Sequence, residues 1–302
     1  DFLKHLFRDD SIRTQIGKTA SGVTRFNISK KRFAKISIPL PPLPIQQEIV
    51  TILDKFTSLE AELEAELEAE LEARKKQYEY YRNKLLTPVE VNGKWMMNGK
   101  EVEWNKLGEI GTFVRGNGLQ KKDFTESGVG CIHYGQIYTY YGVYAHTTKS
   151  FVSEELANTL QKVNNGDLII TNTSENIEDV CKTVAWLGED EIVTGGHATI
   201  FKHKENPKYL AYYTQTSQFA SEKKKYAHGT KVIDVSAKAL AVISIPIPPL
   251  SEQERIVAIL DKFDALVNDI SAGLPAEIDA RRKQYEYYRE KLLTFKNISE
   301  NN

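Results

Sequence analysis

The chain has 302 residues, 41% hydrophobic and 27% charged, with a formal net charge of −1, enough for one large core or two modest ones. No apolar run approaches the roughly 18 residues of a membrane span, and the opening DFLKHLFRDD has neither an initiator Met nor the apolar core of a signal peptide, so the chain reads as a fragment. Cys131 and Cys181 are isolated, match no metal spacing and read as buried small hydrophobes suited to a reducing cytoplasm.

Taken in chain order, residues 1–35 hold nine Lys or Arg against three Asp. Prolines 39, 41, 42 and 44 then form a rigid extended lead-in, and Pro44 favours entry into a helix by fixing φ. From about 45 to 86 nothing breaks that helix, a length of roughly 60 Å. Its middle is three AELE tetrads at 61–72, and residues 59–72 carry seven Glu and no basic residue. Leu59, Leu63, Leu67 and Leu71 recur every four residues as a drifting apolar stripe. Leu71, Tyr78 and Leu85 recur every seven, with Tyr81 alongside, as in a coiled-coil seam. The Glu run is a solvated face with i,i+4 pairs such as Glu70–Arg74 and Glu72–Lys76.

From about 104 to 204 the pattern changes to short strands broken by glycine: 130–144, 166–173, 182–188 and 191–203 are rich in β-branched and aromatic residues. Ser153 caps a predicted helix over 153–163, and Pro207 opens a longer one over 206–227. Near the end Ser251-x-x-Glu254 reads as a capping box. Leu266, Ile270, Leu274, Ile278, Tyr285 and Leu292 continue the second apolar stripe, with a kink or break expected at Gly273 and Pro275.

These segments are related by repetition. ARKKQYEYYRNKLLT (73–87) and ARRKQYEYYREKLLT (280–294) agree at thirteen of fifteen positions, 207 residues apart. At the same offset, 36–57 and 243–264 agree at fifteen of 22 positions, and Gly22 meets Gly229 and Ser29 meets Ser236. Residues 1–87 thus correspond to 208–294, while 88–207 occur once. The fold class is α+β: one body of short strands and helices plus two long helices packing as an antiparallel coiled coil, in a pseudo-two-fold internal repeat.

Enzyme motifs are weak. FVRGNG (113–118) is like an S-adenosylmethionine loop, but its spacing is wrong and a glycine turn explains it better; NPKY (206–209) lacks the second proline of N-P-P-Y and opens a helix. There is no Walker loop, no H-x-x-x-H pair and no clear nucleophile or paired-carboxylate constellation. The loops instead gather groups that bind base edges or phosphates. These are Arg115, Asn117, Gln120, Lys121 and Lys122; Tyr134, Gln136, Tyr138 and Tyr140; Thr171, Asn172, Thr173, Ser174 and Asn176; and His228, Thr230 and Lys231. Each alone reads first as a plain turn or surface residue; the clustering on loops is what raises the idea. Residues 88–250 hold 17 basic and 18 acidic side chains, so no uniformly basic face is written in the composition.

The paired motifs PLPPLPIQQEIVTILDKF with RKKQYEYYRNKLL and PIPPLSEQERIVAILDKF with RRKQYEYYREKLL, around a body with GNGLQKKDF, IHYGQIYTYYG, GDLIITNTSENIEDV and GGHATIFKH, resemble the specificity subunit of type I restriction–modification enzymes. The resemblance implies residues 1–35 as the remnant of a first target-recognition domain and 36–94 as a central spacer-helix region. It implies 95–242 as a second recognition domain and 243–302 as a C-terminal spacer-helix region. It implies a non-catalytic, cytoplasmic reader of one half of a bipartite double-stranded DNA site, docking modification (methyltransferase) and restriction (motor–nuclease) subunits. By the same resemblance S-adenosylmethionine belongs to the modification subunits and ATP with Mg to the restriction subunits. The chain itself holds no cofactor, and its truncated form is open to self-association. A coiled-coil scaffold that never touches DNA is the alternative; a stand-alone methyltransferase is disfavoured by the missing motifs.

Overall fold

The computed structural model describes residues 1–22, 25–268 and 273–295. They fall into two compact units: Asp1–Arg74 with Leu266–Asn302, and Lys75–Ala265.

The long helix Leu43–Leu86, whose residues up to Arg74 belong to the first unit, begins among the prolines, where a missing N–H costs nothing. The final helix Leu274–Leu293 runs antiparallel to it. Phe56 stacks on Tyr288 at 5.9 Å, Thr57 bonds the Tyr285 hydroxyl at 2.8 Å, Arg282 pairs with Glu64, and Leu67 packs with Leu274 and Ile278. Partner numbers fall as helix numbers rise. Phe2, Leu6 and Ile12 from the first two helices join Ile49, Val50, Leu53 and Leu293 in a second apolar cluster. The expected break lies at Gly273, which caps the final helix; Ile270 lies outside the described residues. The preceding helix begins at Leu250, one residue before Ser251, so Ser251 is not its cap.

The seam is a corrected version of the expected one. Leu59 and Leu63 are 51% and 37% exposed, as is Leu266 at 37%. A four-residue repeat gains about 40° on each helical turn, so the leucine stripe meets its partner only near Leu67 and Leu71. Leu85 and Leu292 are half-buried while their neighbours Leu86 and Leu293 are buried, so the contact line is shifted one residue. Aromatic rings at Phe56, Phe263 and Tyr288 supply contacts that the leucine pattern did not reveal.

In the second unit the glycine-broken segment forms two sheets. One has the order Gly111–Arg115, Ala198–His203, Leu168–Thr171, Thr183–Trp186, Tyr144–Ala145; the other Ser150–Val152, Val129–Ile132, Ile192–Thr194, Gln161–Val163. Ile132, Val163 and Ile192 of one sheet meet Ile169, Val184, Trp186 and Ile200 of the other in one core. The side chains of Thr183–Trp186 and Leu168–Thr171 are buried at every position, which is why these runs read as continuously apolar and not alternating. Three predicted elements are different in detail. Only Val129–Ile132 of 130–144 is strand before a helix at Tyr134–Thr139. The 153–163 helix stops at Ala157 and Gln161–Val163 joins a sheet. The 206–227 helix is two, Pro207–Tyr213 and Ser217–Lys224, because Thr216 caps the second.

Equivalent residues of the repeat make equivalent contacts, each set inside its own unit. Phe56–Tyr288 is matched by Phe263–Tyr81 at 5.4 Å, Thr57–Tyr285 by Asp264–Tyr78 at 3.3 Å, and His5–Asp54 by Tyr212–Asp261, both 2.8 Å. Gly22 and Gly229 both have positive φ, at 135° and 110°. A Cβ on either would lie 1.9 or 2.0 Å from the carbonyl oxygen three residues on, so both turns demand glycine.

Candidate nucleic-acid interface

The polar loops of the second unit are placed by the sheets they leave. Gly116 follows a strand and lies against the Gly195 turn so closely that a Cβ would sit 2.2 Å from the Gly195 oxygen. This brings the 115–121 loop alongside residues 195–197. Arg115 Nε donates to the Gly196 carbonyl at 3.3 Å, leaving the rest of its exposed guanidinium at the rim. Lys121 and Lys122 are exposed on the short turn Lys121–Asp123.

His197, on the exposed side of that turn, organises the rim. Its Nδ1 is 3.1 Å from the Thr173 hydroxyl, its ring lies 4.7 Å from Tyr134, and its carbonyl accepts from the Asn172 N–H at 2.9 Å. Tyr134 in turn packs on His133 at 4.5 Å. Burial, then the charge of Lys121, then His197, lowers the pKa of His133, which keeps that ring neutral at pH 7. Thr173–Ser174 pairs with Ile233–Asp234, and Asp234 bridges to His228. The exposed turn carrying His228, Thr230 and Lys231 thereby joins the same rim.

Of the residues singled out from the sequence, the fold thus gathers Arg115, Lys121, Tyr134, Thr173, Ser174, His228, Thr230 and Lys231. Gln120 and Lys122 flank them. Among the others, Gln136, Thr171 and Asn172 are corrected to internal roles, while Tyr138, Asn117, Asn176 and Tyr140 are engaged by neighbouring groups. Gln136 is buried, accepting from the His133 N–H and donating to Ser150. Thr171 is buried and donates to the Lys182 carbonyl. Asn172 is 1% exposed, donating to the Val235 carbonyl and accepting from Thr199. Tyr138 donates to the Thr173 carbonyl at 2.8 Å, and burial raises its phenol pKa. Asn117 spends both amide atoms on the 159–161 backbone, and Asn176 spends both on Asp179. Tyr140 is exposed under Lys149, whose ammonium sits 4.4 Å from the ring centre. Polar residues in loops read alike in sequence; a loop's own backbone amides and carbonyls claim many of them. His197 was hidden inside a segment read as a strand, although its Gly195-Gly196 pair was the available turn signal.

Among the described residues no group of three or more His, Cys, Asp or Glu is placed to hold a metal ion, and no helix is long and apolar enough to cross a membrane. Cys131 and Cys181 are free and buried, and burial pushes both thiols up to about 12.

The second unit is thus a two-sheet body with a polar rim, and the first contains a pair of antiparallel helices. The family model described as the type I restriction modification DNA specificity domain matches residues 2–73 and 99–280, and the chain belongs to that family. The chain is 37% identical over 285 residues to a type I restriction enzyme specificity subunit of Escherichia coli, covering 89% of this chain and 64% of that protein. It is 36% identical over 286 residues to a Haemophilus influenzae protein assigned as such a subunit, covering 91% and 68%. The chain therefore spans about two thirds of the length of these relatives. Two solved structures share the fold at 19% identity. A chain of a type I restriction–modification system superposes with a TM-score of 0.70, covering 97% of this chain and 70% of that one. The HsdS subunit from Thermoanaerobacter tengcongensis does so with 0.57, covering 97% and 68%.

Proposed function

We propose that this chain is a non-catalytic specificity component of a type I restriction–modification assembly, working in the cytoplasm. Its second recognition body reads bases of one half-site, and its paired helices both space that body and dock modification and restriction subunits. S-adenosylmethionine, ATP and Mg belong to those partners. The observation that carries the reading is the rim on which Tyr134 and Thr173 hold His197, with Lys121 beside His133 and the 228–231 turn joined through Asp234 to Thr173. It combines phosphate-binding cations with donors and acceptors that match base edges. His197 is the base reader of that rim: Thr173 and Tyr134 hold its ring, and holding a side chain before contact is what makes a reading group selective.

The test incubates the chain, modification subunits of the type I class and S-adenosylmethionine with randomised duplexes, and maps N6-methyladenine by sequencing. A defined motif, altered at one base position by His197→Ala with a preference loss of about 1–3 kcal/mol there, is expected. Stable protein complexes without methylation or duplex binding would instead establish the scaffold reading.

A further inference from the structure

Lys223 lies in the helix Ser217–Lys224 and is 5% exposed. Its ammonium donates to the Glu178 carbonyl at 2.7 Å and to the Val180 carbonyl at 2.6 Å. Both carbonyls belong to the loop that joins strand Thr173–Ser174 to strand Thr183–Trp186. Burying an ammonium is costly, and burial lowers the pKa of Lys223, opposed by Cys181, Asp179 and Glu178. The helix itself does not ask for that charge. At the 207-residue offset the equivalent position is Ile16, which packs beside the apolar cluster of the first unit. A buried charge is weak evidence for stability, so the lysine is explained by the loop it meets.

That loop is held in a shape the chain does not adopt freely. Cys181 is buried with φ at 66°, a region that residues with a Cβ seldom enter. Asp179 stands between the two carbonyls that Lys223 holds. Its carboxylate accepts from the Asn176 side-chain amide at 2.8 Å, and its N–H donates to Asn176 Oδ1 at 2.7 Å. The Asn176 N–H in turn makes a longer bond, 3.4 Å, to the Ser174 hydroxyl. Thr173, the next residue, meets His197 Nδ1 at 3.1 Å through its hydroxyl and accepts from the Tyr138 hydroxyl at 2.8 Å through its carbonyl. Lys182 reaches the Tyr138 carbonyl at 3.3 Å. The loop is thus fixed from two helices, and a run of named bonds joins Lys223 to His197 inside the second unit.

We propose that Lys223 is a positioning residue for base reading: by fixing the 174–180 loop it fixes Thr173, and through Thr173 the ring of His197. The inference rests on the reading of the rim as a DNA-contacting surface. Lys223 is itself too buried to meet a base. Its effect on selectivity comes from holding a reading group still before contact. Coupling of this kind is carried by contiguous bonds. Lys223 and His197 therefore act on the same base position, and their effects do not add.

The test compares the full chain with Lys223→Ile, which installs the residue of the other copy, and with Asn176→Ala, which cuts the exposed link between Asp179 and Ser174. Amide exchange read by mass spectrometry without DNA is expected to speed at least about tenfold at 175–180 in Lys223→Ile, with 198–203 unchanged. Modification subunits, S-adenosylmethionine and randomised duplexes then give the base preference. Both variants are expected to lose at least about fivefold of the preference at the position that His197→Ala relaxes. The Lys223→Ile/His197→Ala double variant loses no more there than His197→Ala alone. Lys225→Ala, two residues on and exposed, controls for lost charge and leaves the preference unchanged. Unchanged exchange, or faster exchange with the preference intact, overturns the proposal, as does relaxation at a position other than that of His197. If Lys223→Ile does not fold, the preference of Asn176→Ala decides alone. A wild-type chain that yields no motif overturns the reading of the rim and this inference with it; a wild-type motif that the variants leave unmoved overturns the inference alone.

Discussion

Asn172 joins three parts of the two-sheet body at once. Its backbone N–H reaches His197, its carbonyl accepts from Val235, and its side chain bonds Val235 and Thr199. Asn172→Ala leaves a buried carbonyl and a buried hydroxyl without partners, so the body loses about 2–4 kcal/mol, read as a lower urea midpoint. Lys121→Ala and His197→Ala sit at the exposed rim and change that midpoint by less than about 0.5 kcal/mol. This contrast separates the proposed reading residues from structural ones before any DNA is added. His203 sets a pH response. Burial, opposed by the Asp167 carboxylate and by a backbone hydrogen bond at Glu205, lowers its pKa from 6.5 to about 4. The unfolded chain therefore takes up the proton first as pH falls. The contribution of His203 is fully present above pH 6.5 and drains away toward pH 4. Because the residue is half-buried, the loss is on the order of 1–2 kcal/mol, and His203→Gln flattens that part of the stability–pH curve.

The helices carry their own consequences. Tyr78 and Tyr285 occupy equivalent places and bond Asp264 and Thr57 from their hydroxyls. Tyr78→Phe and Tyr285→Phe each cost about 1 kcal/mol in thermal unfolding, with the rings still packed. Leu67→Ala, at the contact with Leu274 and Ile278, costs about 2 kcal/mol or more. Deleting one tetrad, Ala61–Glu64, shortens the helix by about 6 Å and rotates its C-terminal part by about 40°. If the helices set the distance between readers, motif sequencing finds the gap between half-sites changed by one or two base pairs at roughly 3.4 Å each. The bases read stay the same. A constant gap with altered bases would count against a ruler role.

At the level of the whole molecule, charge decides what the chain can do alone. A net charge of −1 and 17 basic against 18 acidic residues over 88–250 leave little counterion release to drive duplex binding. The isolated chain is expected to bind duplex DNA more weakly than about 1 μM at physiological salt, with a shallow dependence on salt in anisotropy titrations. Under the proposed function, adding modification subunits is expected to tighten binding and steepen that slope. A nanomolar, strongly salt-dependent complex of the chain alone would show that its own surface suffices.

Helix 43–86, the break near Gly273 and the repeat at 207 residues could all be read from the sequence, because helix periodicity and proline geometry are set by neighbours within a few residues. The same locality explains why the family motifs in the helices were recognisable. The rim was only half legible. Lys121, Tyr134 and Thr173 were visible as candidates, yet the placement of Asn172 inward and His197 outward depends on bonds to Val235 and Thr173, 63 and 24 residues away. Two nearly identical peptides, 36–43 and 243–250, make the limit plain: their sequence determined an edge with the same prolines and isoleucines. Whether that edge is covered was decided by a strand at 103–106, since pairing is a property of what lies alongside and not of the strand itself.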